Sequence, residues 1–169
     1  LDVNVLIYEP YKKQLDKIGK KNNSSLKNLF INSDIISIHA RINKSGKPII
    51  SKKDFNKMKK KPYIINTSRS QCVKTEDLIA AYKKKKIKGF YLDVYDKEPI
   101  DFNSKLHKVI DSNVMLTPHA AGVSRDIPFK TAEIVAKEIK KVIKKNKPQF
   151  ITNIKTASFV KRKMKEILY

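Results

Sequence analysis

Pro62–Val94, PYIINTSRSQCVKTEDLIAAYKKKKIKGFYLDV, changes its hydrophobic period once and then changes back. Tyr63–Asn66 is a short apolar run that reads as a buried strand. Thr75 can cap the helix TEDLIAAYKKKK, with Glu76 and Asp77 at the positive end of its dipole and lysines at the negative end. Phe90–Val94 returns to a strand. A strand, a helix and a second strand in so short a span are the unit of a parallel sheet.

The same alternation extends in both directions. Upstream, Val3–Tyr8 (VNVLIY) reads as a buried strand closed by Glu9-Pro10. A short helix follows over Ser25–Asn32, then a strand over Asp34–His39. Ser51 is a plausible N-cap for a helix that carries Phe55 and Met58 on one face. Downstream, Val114–Thr117 supplies a further strand. The expectation is an α/β fold whose strands, apolar on both faces, are covered by helices on each side. From about Asp126 the period changes for good. Ile127, Ala132, Val135, Ile139, Val142 and Ile143 recur at helical spacing as far as Asn146, with Pro128 tolerated in the first turn and Glu133–Lys137 as an i,i+4 pair. This long helix reads as a bridge or packing arm. The tail Thr152–Tyr169 is short and basic.

Composition narrows the classes. Over 169 residues, 38 Lys+Arg stand against 16 Asp+Glu, a formal net charge of +22, and 40% of residues are apolar, enough for a real core. No apolar run approaches the ~18 residues that span a bilayer, so no membrane partner is expected. The single cysteine, Cys72, excludes a disulfide framework and a Cys-rich zinc module. It reads as a small, partly buried residue and fits a reducing, cytoplasmic compartment. Only four of the 38 basic residues are arginine: Arg41, Arg69, Arg125 and Arg162. Nucleic-acid readers lean on arginine forks, interleaved aromatics and charge gathered on one face. Here the lysines fall wherever solvent is expected, so no specific nucleic-acid partner is inferred. The chain opens on Leu1, almost directly on a strand-like run, which suggests a piece of a longer protein.

Four residues sit at the ends of expected strands: Glu9, Arg69, Asp93 and His119. In an open α/β sheet, ligands bind outside the carboxyl ends of the strands. Glu98 lies in the loop that starts at Asp93. Singly, each has an ordinary reading, since strand-end acids cap helices and lone histidines sit at surfaces. Jointly they point to one crevice.

The stretches SDIISIHA (Ser33–Ala40), INTSRS (Ile65–Ser70), GFYLDVYDKEP (Gly89–Pro99) and LTPHAAG (Leu116–Gly122) resemble, in order and spacing, successive signatures of the D-isomer-specific 2-hydroxyacid dehydrogenases. The resemblance runs from about Val3 to about Asn153. It implies a Rossmann-like parallel sheet and an oxidoreductase that moves a hydride between NAD(H) and a small 2-oxo or D-2-hydroxy acid. Arg69 matches the arginine that holds the substrate carboxylate, a task suited to a planar fork that keeps its proton. His119 matches the acid/base at the carbonyl oxygen. Glu98 matches the carboxylate that orients this histidine and favours imidazolium. Asp93 matches an aspartate on the nicotinamide carboxamide side. Glu9 matches the acid that accepts from the adenosine ribose hydroxyls, which favours NAD over NADP. Backbone around Ala40, Thr67, Ala121 and Gly122 would line the cofactor groove, and no metal is implied. Homodimers are common in that family.

The sequence also departs from the pattern. Its four glycines, Gly19, Gly46, Gly89 and Gly122, cannot form the G-x-G-x-x-G turn that receives a pyrophosphate. Arg41 stands where proline is usual, Ser70 and Gln71 replace glycines after the key arginine, and Ala121 replaces another. The expectation is therefore a sheet lacking its first strand–helix unit, with residues 1–123 as a partial NAD-binding domain. Residues 124–169 would be a helix and tail that pack on, or bridge to, a missing substrate domain. The isolated chain would then be poorly active. Two rivals are a non-catalytic, dehydrogenase-like sensor or scaffold and a basic nucleic-acid-binding protein.

Overall fold

The structure is a computed structural model and describes residues 3–10, 22–42, 46–144, 146 and 148–149. It divides between Gly122 and Val123 into two units.

In the first unit, four strands form one sheet in the order β1 (Ile35–Ile38), β2 (Tyr63–Asn66), β3 (Gly89–Leu92) and β4 (Val114–Leu116). Every pairing is parallel, so the chain returns to the same end of the sheet after each strand. The α/β expectation holds on this point. The strand ends fall one or two residues inside the expected runs, because Asp93, Val94 and Thr117 turn away into loops. Ile36, Ile38, Ile64, Asn66, Phe90, Leu92 and Val114 point to one face and are buried. On that face, the helix α2 (Thr75–Lys83) meets the sheet through Tyr82, whose ring lies edge-on to Phe90 at 5.7 Å. The expected cover on both faces is not found among the described residues. Ile35 and Met115, on the opposite face, are exposed, while Tyr63 and Tyr91 stack there half-buried. An apolar run sets what a strand could bury; which neighbours cover it is decided elsewhere in the chain.

Gly89 opens β3 because no side chain fits there. A Cβ would lie 2.1 Å from the carbonyl oxygen of Asn113, which accepts the amide of Phe90 at 3.1 Å.

Helix α1 (Leu26–Asn32) forms as expected. The Ser25 hydroxyl accepts the Asn28 amide at its start, and Phe30 is its buried residue. Three other expectations are corrected. Val3–Tyr8 is no strand of the sheet: among the described residues only Ile7 pairs, in an isolated parallel bridge to Asn23, and Val3, Val5 and Tyr8 are exposed. The helix expected after Ser51 is a single 3-10 turn, Asp54–Lys57. Lys53 occupies its cap position without a side-chain bond, and Ser51 instead gives both its amide and its hydroxyl to Asp54 Oδ2, at 3.0 and 2.5 Å. Phe55 and Met58 are nevertheless both buried. Thr75 does not cap α2. Lys74 occupies the cap position without a side-chain bond, and the Thr75 hydroxyl donates instead to Asp96 at 2.9 Å.

In the second unit, α3 (Ile127–Ile143) has Pro128 in its first turn and buries none of its residues. Its ion pairs are Asp126–Lys130 and Glu138–Lys141, in place of the expected Glu133–Lys137. The tail Thr152–Tyr169 lies outside the described residues.

Candidate functional site

The strand register lays out the site. Ile38, Asn66, Leu92 and Leu116 form one row across the sheet at its carboxyl end. Just past that row come Ala40 after β1, Thr67 and Arg69 after β2, Asp93 and Glu98 after β3, and His119, Ala121 and Gly122 after β4. Glu9 stands apart, half-buried, two residues beyond the Ile7–Asn23 bridge.

Two of the expected residues meet directly. His119 Nδ1 lies 2.7 Å from Glu98 Oε2, with both side chains partly exposed. The other carboxylate oxygen, Oε1, accepts the amide of Tyr95 at 3.0 Å. The hydrogen bond from His119, seconded by the Tyr95 amide, holds the Glu98 carboxyl below its ordinary value. His119 itself sits at φ 53, in the left-handed region, and its amide donates back to the carbonyl of Thr117 at 2.9 Å. That bond closes a tight turn over Pro118. Positive φ is uncommon outside glycine and persists only where the surroundings impose it.

Asp93 is one source of that constraint. It is 2% exposed and is turned into the segment that carries His119. Its Oδ1 accepts the Thr117 hydroxyl at 2.5 Å and the Ala120 amide at 2.8 Å, while Oδ2 accepts the Ala121 amide at 2.8 Å. Burial works to raise its carboxyl. The bonds from Thr117, Ala121 and Ala120, with nearby His119, outweigh burial and hold it below the ordinary value.

Arg69 is exposed and donates to the carbonyl of Ser68 at 2.6 Å. No hydrogen bond or ion pair joins it to Glu98, Asp93 or His119 among the described residues. Its loop is held from below by Asn66, a residue that sequence reasoning missed. Asn66 is 1% exposed; its Nδ2 donates to the Arg69 carbonyl at 2.9 Å, and its Oδ1 accepts both the amide and the hydroxyl of Ser68 at 3.1 Å. The available signal was an amide closing an otherwise apolar strand. Cys72, expected to be partly buried, is fully buried, with its sulfur 3.6 Å from the Ala40 carbonyl.

The family described as D-isomer specific 2-hydroxyacid dehydrogenase, NAD binding domain, matches residues 1–121. The chain belongs to this family. Among dehydrogenases and reductases similar to it, the glyoxylate reductase of Thermofilum pendens is 37% identical over 130 residues, 77% of this chain and 38% of the relative. The structure of a D-lactate dehydrogenase with NAD+ from Lactobacillus jensenii matches with a TM-score of 0.72 at 25% identity, over 89% of this chain and 48% of that one. The NAD-complexed D-isomer specific 2-hydroxyacid dehydrogenase of Lactobacillus delbrueckii ssp. bulgaricus shares the fold, with a TM-score of 0.74 at 23% identity over 89% and 49% of the two chains. The chain thus spans half or less of the length of each.

A dinucleotide fits this member of the 2-hydroxyacid dehydrogenases at one end. Ala40, Thr67, Ala121 and Gly122 are exposed residues past the strand row, and a Cβ added at Gly122 would meet nothing within 4 Å. For the pyrophosphate end the sequence offers no G-x-G-x-x-G run. Gly89 packs against Asn113 rather than facing a ligand. Among the described residues, no cluster of His, Cys, Asp or Glu could hold a metal, and no helix is long and apolar enough to cross a membrane.

Proposed function

We propose that the chain is the cofactor-binding part of an oxidoreductase that interconverts a small 2-oxo acid and a D-2-hydroxy acid with NAD(H). One observation carries the reading: the 2.7 Å bond between His119 Nδ1 and Glu98 Oε2, placed at the carboxyl edge of a parallel sheet. Bound there, NAD(H) supplies or accepts the hydride at C2. Proton handling falls to this chain's own residues. Glu98 holds a proton on Nδ1 of His119, which leaves Nε2 of the exposed ring as the nitrogen that cycles. In reduction, Nε2 gives its proton to the carbonyl oxygen and the ring ends as the neutral Nδ1–H tautomer. In oxidation, Nε2 takes the hydroxyl proton back. Arg69, tied only to a neighbouring carbonyl, can exchange that bond for a bidentate pair with the substrate carboxylate. Ala40, Thr67, Ala121 and Gly122 would face the cofactor along the edge, and Glu9 would accept from the ribose hydroxyls, which favours NAD over NADP. Asp93 would stand behind the nicotinamide-side loop, holding its backbone in place. A homodimer and a cytoplasmic setting accompany this reading, and the buried free thiol of Cys72 agrees with a reducing compartment.

The test is turnover of NADH with a panel of short 2-oxo acids by the protein that carries this chain. His119→Ala is expected to lower kcat by about 10²–10⁴. Arg69→Ala is expected to raise KM sharply as well as lower kcat. Near-full turnover by both variants would overturn the assignment of roles.

A further inference from the structure

Tyr95 bonds Glu98 by one group and, by another, the carbonyl that accepts the His119 amide. Its backbone amide donates to Glu98 Oε1 at 3.0 Å. Its side chain runs back under the sheet edge and is 9% exposed. The hydroxyl reaches two carbonyl oxygens, that of Thr117 at 2.6 Å and that of Leu92 at 2.9 Å. It has one proton to give, and the shorter contact is to Thr117. The Thr117 carbonyl is also the acceptor for the His119 amide. The phenol thus orients the carbonyl against which the left-handed turn at His119 closes, at the point where that turn leaves β4.

We infer that Tyr95 is a positioning residue for the proton-handling pair: its hydroxyl, through the Thr117 carbonyl, sets the backbone of His119 so that Nδ1 faces the carboxylate its own amide holds. Asp93 grips the segment beyond His119, through Ala120 and Ala121, and Thr117 by its hydroxyl. Tyr95 alone addresses the carbonyl that closes the turn and also reaches Glu98. Tyr95 thus ties Glu98 by its backbone and the closing carbonyl of the His119 turn by its side chain. The inference rests on His119 being the proton-handling residue. Its test needs no turnover, so a failed 2-oxo acid assay and a failed positioning role are separate results.

The readout is the pair of ring-nitrogen ¹⁵N shifts of His119, which report the ratio of Nδ1–H to Nε2–H tautomers in the neutral ring. Tyr95→Phe removes one oxygen and keeps the aromatic ring and the amide bond to Glu98. In the wild-type chain the proton is expected on Nδ1. In Tyr95→Phe the ratio is expected to fall about five-fold, the worth of one hydrogen bond. In Glu98→Gln it is expected to fall further, with no added effect of Tyr95→Phe in that background. A lower melting temperature for Tyr95→Phe with an unchanged tautomer ratio would overturn the proposal and make Tyr95 a core residue only. If Tyr95→Phe does not fold, a fluorinated tyrosine placed at position 95 carries the test, because its hydroxyl ionises at lower pH than tyrosine's. Burial first, then the charges of Asp93 and Glu98, oppose ionisation of this phenol, and its bond to Thr117 favours it. A tautomer change that tracks formation of the phenolate supports the role. Phenolate formation with the ratio unmoved overturns it.

Discussion

Asp93 holds three donors with two oxygens, and every donor belongs to the Thr117–Ala121 segment. Because its folded carboxyl is held below the ordinary value near about 4, its contribution is complete above that value. It is lost as pH falls from there through the lower folded value. Glu98 acts in the same direction through its bond to His119. The amide resonances of Ala120 and Ala121 are therefore expected to shift in acid, below about pH 4, ahead of those in β2 and β3. Amides that stay put until the whole sheet unfolds would contradict this reading of Asp93. Asn66 makes a comparable case beneath Arg69. Asn66→Ala leaves the Ser68 amide and the Arg69 carbonyl without their partner in a partly buried setting. The expected cost is about 1–3 kcal/mol, measured by thermal unfolding. An unchanged melting temperature would show the loop to be held by other means.

At the level of elements, the β2–α2–β3 unit was legible because each part has one dominant determinant. Tyr63–Asn66 and Phe90–Leu92 are short apolar runs, and α2 has acids at its start and lysines at its end. Where local signals competed, the sequence misled. Ser51 and Thr75 are good capping types, yet both hydroxyls found carboxylates, Asp54 and Asp96, that no local pattern pairs with them. Val3–Tyr8 has strand composition, but a strand needs a neighbour, and among the described residues only Asn23 offers one bridge. The same limit applies to the site. Arg69, Glu98 and His119 were legible as residue types at strand ends. Asn66 and Tyr95 were not, because what they do depends on carbonyls brought close by register. Gly89 marks the tightest of these backbone approaches. Gly89→Ala would drive a methyl into the Asn113 carbonyl, so the β3–β4 edge must shift or the chain loses stability by about 1–3 kcal/mol. Urea unfolding measures it, and a midpoint equal to wild type would contradict the close approach.

For the whole molecule, the largest number is the net charge of +22, and its meaning turns on how it is distributed. The ion pairs of the described residues are mostly exposed lysines with nearby carboxylates, as at Lys60–Asp34 and Lys97–Asp101, which is the pattern of a solvated surface. Binding to duplex DNA is therefore expected to be weak, indifferent to sequence and gone near physiological salt. Tight, sequence-dependent binding at that salt, measured by fluorescence anisotropy, would mean that the lysines form a specific surface.

The claim on which the account depends is that the carboxyl edge of this sheet serves reduction of a 2-oxo acid. The most direct measurement is isotopic: the protein that carries this chain is incubated with pyruvate and with NADH deuterated at C4, and the product is resolved by chiral chromatography and mass spectrometry. The expected result is a D-2-hydroxy acid with deuterium at C2, formed far more slowly by the His119→Ala variant. A hydroxy acid without the label, or labelled product formed equally fast without His119, would contradict it.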